Sequence, residues 1–218
     1  MSTQTTFLTG LASRIQDAEA KLTQADLIDC LTAALNEYSA ARPRYVTAEV
    51  TSDGSAFLAL PATWDLLFSK VARIDELDAN NAPEYVMPAV YQIITNPAPE
   101  AEVFFFTDET PAAGTKYRIK YAVRHTITTS ASTVPSADET IVMDLAASIA
   151  FLRLAAAYAQ STDPQIGTVT LDYKSKTDLY KGLARDFRQR FVDALNSGAL
   201  KPAAAQRAWQ RPQLLFHK

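Results

Sequence analysis

The sequence predicts an α+β chain: a helical bundle of about four helices, an inserted small antiparallel β domain, and an extended C-terminal tail. Three observations predict it. Apolar residues recur at helical spacing near both ends, strand-like alternation replaces that spacing in the middle, and the last 20 residues hold two prolines and no acidic side chain. The expected domains are residues 1–43 and 135–198 for the two helical pairs, 44–134 for the β insertion and 199–218 for the tail. With 218 residues, 48 % of them apolar, the chain can bury a core without a disulfide or metal staple.

From the N-terminus, Phe7, Leu8, Leu11 and Ile15 mark a helix over residues 4–20. Thr23 then caps a second helix, with Asp26 at the box position and Asp29 where the helix dipole favours negative charge. Leu27, Leu31, Leu35 and Tyr38, with Ala34, form its apolar stripe. Arg42-Pro43 ends it, because proline disfavours helix in the residue before it. Cys30, at the stripe's edge, reads as a small buried side chain.

Residues 45–51 and 55–60 flank Asp53-Gly54, a dipeptide that predicts a tight hairpin. Residues 61–68 start one short helical turn. Strand-like runs follow at 71–77, 89–95, 102–107 and 116–125, with turn formers at 80–83, 96–99 and 110–114 between them. The size suits a sandwich or a rolled sheet.

Helix returns at Ser136-x-x-Glu139, a capping-box pattern preceded by Pro135, and runs to about Gln160. Alanines at 146, 147, 150, 155, 156, 157 and 159 let neighbouring helices approach closely. Asp163-Pro164 and Gly167 end it. A last helix over 172–196 carries Leu179, Leu183, Phe187, Phe191 and Leu195 at four-residue spacing. Lys174, Lys181, Arg185 and Arg188 fall in one narrow sector on its other side, a basic stripe for DNA phosphates, an acidic partner or plain solvent.

The charge is split. Residues 1–173 hold 11 Lys/Arg against 21 Asp/Glu, a net of −10, and residues 174–218 hold 10 against 3, a net of +7. An acidic body with a basic end predicts different partners for the two parts. The tail reads as a peptide that folds onto a partner: Lys201, Arg207 and Arg211 set the charge, and Trp209, Leu214, Leu215 and Phe216 supply apolar anchors.

Much chemistry is excluded. A single cysteine forms no internal disulfide, and with two histidines it leaves no Cys/His zinc site. There is no Gly-x-Ser-x-Gly elbow, Gly-rich phosphate loop or His-Glu-x-x-His pair. Asp75-Glu76-x-Asp78 and Asp108-Glu109 are the acidic candidates, and solvated turn charge explains both. His125 reads as a surface or interface residue at a strand end. The strand from Lys116 to Arg124 alternates a basic face with Tyr117, Ile119, Tyr121 and Val123, so its aromatics are no stacking platform for nucleic acid. No catalytic residue, metal or cofactor is expected. The start is polar and residues 141–159 are broken by Asp144 and Arg153, so a soluble, cytosolically made protein without a membrane partner is expected.

Four stretches carry a family resemblance. Ser13-Arg14-Ile15-Gln16-Asp17 precedes Thr23-Gln24-Ala25-Asp26-Leu27 and Ala33-Ala34-Leu35-Asn36-Glu37-Tyr38-Ser39, closing on Arg42-Pro43. Ser55-Ala56-Phe57-Leu58-Ala59-Leu60-Pro61 follows, then Pro111-Ala112-Ala113-Gly114-Thr115 with Tyr117-x-Ile119-x-Tyr121 and His125, and last Asp144-Leu145-Ala146-Ala147. In order and spacing these resemble the head-to-tail connector, or adaptor, proteins of tailed bacteriophages. The resemblance implies a structural virion protein of the neck, made in the host cytoplasm. It implies a ring, usually dodecameric, beneath a portal protein, with a downstream tail or neck protein below. It also implies a lumen that conducts DNA without binding it specifically, and a C-terminal segment that docks on the portal. Two other classes stay open: a nucleic-acid-binding protein using the basic end, and a neck protein with cell-wall hydrolase activity on an acidic pair.

Overall fold

The computed structural model describes residues 2–17, 20–86, 91–95, 101–105, 111–160, 165–166, 169–170 and 173–197. The chain divides into two compact units, Met1–Glu37 with Thr126–Lys218, and Tyr38–His125. The first is helical, the second β, and the fold class is α+β.

In the helical unit, α1 (Gln4–Ile15) starts on Thr3, whose hydroxyl accepts the Thr6 amide, and buries Phe7, Leu11 and Ile15. It stops five residues short of the expected end. Gln16 turns left-handed at φ 48°, and the Asp17 carboxylate accepts the Leu22 amide (2.8 Å) instead of continuing the helix. In α2 (Gln24–Ala41) the expected box forms: the Asp26 amide donates to Thr23 Oγ1 (3.2 Å) and the Thr23 amide to Asp26 Oδ2 (2.8 Å). Those bonds hold the Asp26 carboxyl below its ordinary value, with the Arg153 charge adding to them. Cys30 is fully buried, and burial pushes its thiol up.

A 3-10 turn, Ser136–Asp138, leads into α3 (Glu139–Ala159). Here the expected box does not form. The Glu139 carboxylate accepts the Ser2 hydroxyl (2.7 Å), a tertiary contact that outcompetes the local one. The segment Ser136–Ala159 is long and apolar enough to cross a membrane, but its buried side chains, from Val142 to Tyr158, are those of a core helix. Of the seven alanines expected to allow close approach, Ala146, Ala147, Ala150 and Ala155 are buried, whereas Ala156 and Ala159 are exposed and Ala157 is half-buried; Ser148 Oγ donates to the Ala184 carbonyl of α4 (Tyr173–Asn196) at 2.8 Å.

On α4 the buried line is Thr177, Ala184 and Phe191, and Leu179 is 59 % exposed. A row at four-residue spacing drifts about 40° per step around a helix, so five members outrun the contact face. Leu179 falls off its end. The Phe151 ring meets Tyr180 (6.0 Å) and Phe187 (5.5 Å) in the middle of the face. Between α3 and α4 lies a small pair, β8 (Gln165–Ile166) and β9 (Val169–Thr170).

The β unit has two sheets. One has the order β1 (Arg44–Thr51), β7 (Lys116–Val123), β3 (Val71–Leu77), β4 (Pro83–Val86); the other has β2 (Phe57–Ala59), β6 (Ala101–Phe105), β5 (Tyr91–Thr95). Leu58 and Val103 from the second sheet share a core with Ile74, Tyr117, Ile119, Tyr121 and Val123 from the first. Burial beside Glu76 pushes Tyr117 up to about 12. The aromatic face of β7 therefore points inward, as its alternation predicts.

The predicted hairpin at Asp53-Gly54 is absent. β1 pairs with β7 and β2 with β6, so the chain changes sheet there. Ser52 extends the β1–β7 ladder to Gly114 and Thr115, while Asp53 Oδ1 takes the Ser55 amide (2.8 Å) in a one-sided turn. Gly54, at φ 93°, lies where a Cβ would come 3.2 Å from Ala113 Cβ. A hairpin does join β3 to β4, around Asp78 Oδ1, which accepts the amides of Asn80 and Ala82. Pro83, read as a turn former, opens an edge strand, a place where a missing amide costs no ladder bond. Residues 61–68 make two turns, closed at Pro61 and Asp65, in place of a helical turn.

Candidate interaction surfaces

The basic stripe of α4 contains two kinds of side chain. Lys181 and Arg185 are exposed. Arg188 holds the Glu37 carboxylate of α2, Nη1 to Oε2 at 3.1 Å, within the helical unit. Lys174 lies on α4, but its side chain is outside the described residues. Two cations the stripe omitted lie over rings, Lys176 over Tyr158 (4.9 Å) and Arg190 over Phe187 (4.7 Å). Among the described side chains of the stripe, Lys181 and Arg185 are the ones left to an outside partner. The tail residues Lys201, Arg207, Trp209, Arg211, Leu214, Leu215 and Phe216 lie outside the described residues.

The basic face of the first sheet is largely occupied by its own neighbours. Arg118 pairs with Glu49 across the strand (2.9 Å), and Arg73 with Asp75 (2.6 Å). Lys120 lies over the Tyr45 ring (5.6 Å) and Arg73 over Tyr85 (5.3 Å). Tyr45 and Tyr85, both exposed, complete this face. They sit on strands other than β7, so alternation along one strand could not reveal them.

His125, expected as a surface or interface residue, is buried within the β unit. Its amide donates to Ser39 Oγ (2.9 Å), Nε2 donates to the Arg42 carbonyl (3.1 Å), and its ring lies 5.2 Å from that of Tyr38. The acidic candidates are also absorbed by structure: Asp75 by Arg73, Glu76 beside the Tyr117 hydroxyl (3.5 Å), Asp78 by its turn. Asp108-Glu109 lies outside the described residues. Among the described residues no three His, Cys, Asp or Glu side chains gather as metal ligands.

No family model and no curated protein matches this chain. Solved structures similar to it include chains from the neck of the empty GTA particle (C6 symmetry; 16 % identity, TM-score 0.31) and the virion of the native gene transfer agent particle (14 %, 0.32). A third is from the neck of the native GTA particle (C12 symmetry; 16 %, 0.31). Each likeness covers 83 % of this chain and 92 % of the other.

Proposed function

We propose that this chain is a structural, non-enzymatic neck protein of a phage-like particle, an adaptor that forms a ring beneath the portal and joins head to tail. The observation that carries this reading is the organisation of the chain: a helical pair, an inserted β unit, and a second helical pair. The stretches that resemble adaptors fall on the determinants of that organisation. Thr23 and Asp26 cap α2, Tyr117, Ile119 and Tyr121 fill the β core, and residues 145–147 belong to the buried run of α3.

The net −10 of residues 1–173 suits a lumen that DNA crosses without ion pairing, and it opposes self-association in the absence of a partner. The tail is the portal-docking element, with apolar anchors that carry affinity and basic residues that set encounter rate. Deleting residues 199–218 is expected to leave the thermal unfolding of both units nearly unchanged and to abolish co-sedimentation with portal. Trp209→Ala with Phe216→Ala is expected to weaken attachment more than Arg207→Ala with Arg211→Ala. Normal occupancy of the portal by the truncated chain would make the tail a bystander.

A further inference from the structure

Between β2 and β3 the β unit displays a locked turn. The Asp65 carbonyl accepts the amides of Phe68 (3.0 Å) and Ser69 (2.7 Å), and its Oδ1 accepts the Leu67 amide (3.0 Å). The Asp65 amide donates to Ser69 Oγ (3.0 Å), Arg124 Nε holds Asp65 Oδ2 (2.9 Å), and the Arg124 guanidinium lies over the Phe68 ring (5.0 Å). Held this way, Leu67 is 92 % exposed. One exposed leucine is ordinary; one fixed outward on a pre-ordered turn has little entropy left to lose on binding.

Leu67 lines an open groove of about 480 Å³ at one end of the first sheet. Tyr45 and Phe68 give it aromatic walls, and the small side chains of Ala72 and Ala122, the latter paired with Tyr45 across the ladder, leave room for a bulky side chain. The charge around it is one-sided. The carboxylates on this face and turn are each answered by an arginine: Asp65 by Arg124, Asp75 by Arg73 and Glu49 by Arg118. Two exposed lysines are left over. Lys70 lines the groove and Lys120 lies over the Tyr45 ring (5.6 Å), and neither holds a carboxylate among the described residues.

We propose that this groove docks an acidic segment of a partner protein. One bulky apolar side chain of the partner enters beside Tyr45 and Leu67, and carboxylates flanking it meet Lys70 and Lys120. Apolar burial supplies the anchor, and the leftover cations select the sign of what surrounds it. The chain's own tail has the wrong sign, with Lys201, Arg207, Arg211 and Lys218 and no carboxylate. A nucleic-acid backbone draws on a row of free cations, and the arginines of this face are already paired. The groove lies within the β unit, so the proposal does not depend on ring formation.

The test titrates the full-length, 15N-labelled protein with a short capped peptide, one tryptophan between two glutamates on each side, and reads amide shifts by NMR. Shifts are expected at Tyr45, Leu67, Lys70 and Lys120. The same peptide with lysines for glutamates should bind about tenfold more weakly or worse. Lys70→Glu with Lys120→Glu, folded by circular dichroism, should reverse that preference, and Leu67→Ser should weaken the acidic peptide severalfold. Equal binding of the two peptides, or no shift at these amides at millimolar acidic peptide, overturns the proposal. So does a thymidine oligonucleotide that shifts them at lower concentration than the acidic peptide, which would make the partner a nucleic acid. Shifts of the same amides with protein concentration alone would make the occupant a second copy and overturn it as well.

Discussion

The two units are held together in different ways. The helical unit is tied by side chains far apart in sequence: Arg14 to Asp144 (2.9 Å), Arg153 to Asp26 (3.4 Å) and Arg188 to Glu37 bridge pairs of helices. Its core mixes large side chains, Leu145, Phe151, Leu154 and Tyr158 among them, with Ala146, Ala147, Ser148 and Ala150 on α3. The β unit pairs charges at short range, Arg118 with Glu49 across adjacent strands and Arg73 with Asp75 along one, and encloses tyrosine, isoleucine and valine between two sheets. Its chain enters and leaves at one place, where the His125 amide meets Ser39 and the ring lies against Tyr38. An insertion closed at its own neck is expected to order itself without help from the host unit, so the two should be separable.

The largest test of that separation removes the β unit. A chain joining Glu37 to Thr126 by a short Gly/Ser linker is expected to keep its helical circular dichroism and to lose one calorimetric transition whole. Loss of all structure would show that the helical unit leans on the insertion. Core truncations come next. Leu154→Ala in α3 and Ile119→Ala in β7 remove fully buried side chains, and each should cost about 2–5 kcal/mol. Scanning calorimetry should show each lowering one transition and sparing the other; if both substitutions moved both transitions equally, the units would be one cooperative body.

The smallest effect is at the start of α2. Thr23→Ala should destabilise the helical unit by about 1 kcal/mol. It should also release Asp26, whose carboxyl is held below its ordinary value mainly by Thr23. A carboxyl lowered by folding contributes stability above its unfolded value, near pH 4, and loses it as pH falls through the folded one. The helical unit of the variant should therefore lose less stability between pH 5 and pH 2 than the parent. An Asp26 titration by NMR that did not shift upward in Thr23→Ala would refute the capping account.

The same contrast explains what the sequence revealed. Thr23 and Asp26 were legible because both partners of a cap lie within one turn. Ser136 and Glu139 have the same spacing and misled, because Glu139 bonds Ser2, 137 residues away. Asp53-Gly54 looked like a hairpin for a related reason: local chemistry makes the turn, but strand partners are chosen by a core that Leu58 joins through the other sheet. Leu67 gave no signal, since a leucine between Trp64 and Phe68 looks like core until the Asp65 bonds turn it outward. Of the α4 stripe, alignment on one face was readable, and the capture of Arg188 by Glu37 was not.

A ring on the portal would be visible by electron microscopy of the full-length protein mixed with the portal of its own particle. Monomers or small species are expected for the protein alone, and a closed ring under each portal in the mixture, with the helical and β units both resolved. Bare portals beside unchanged monomers at micromolar protein would contradict it.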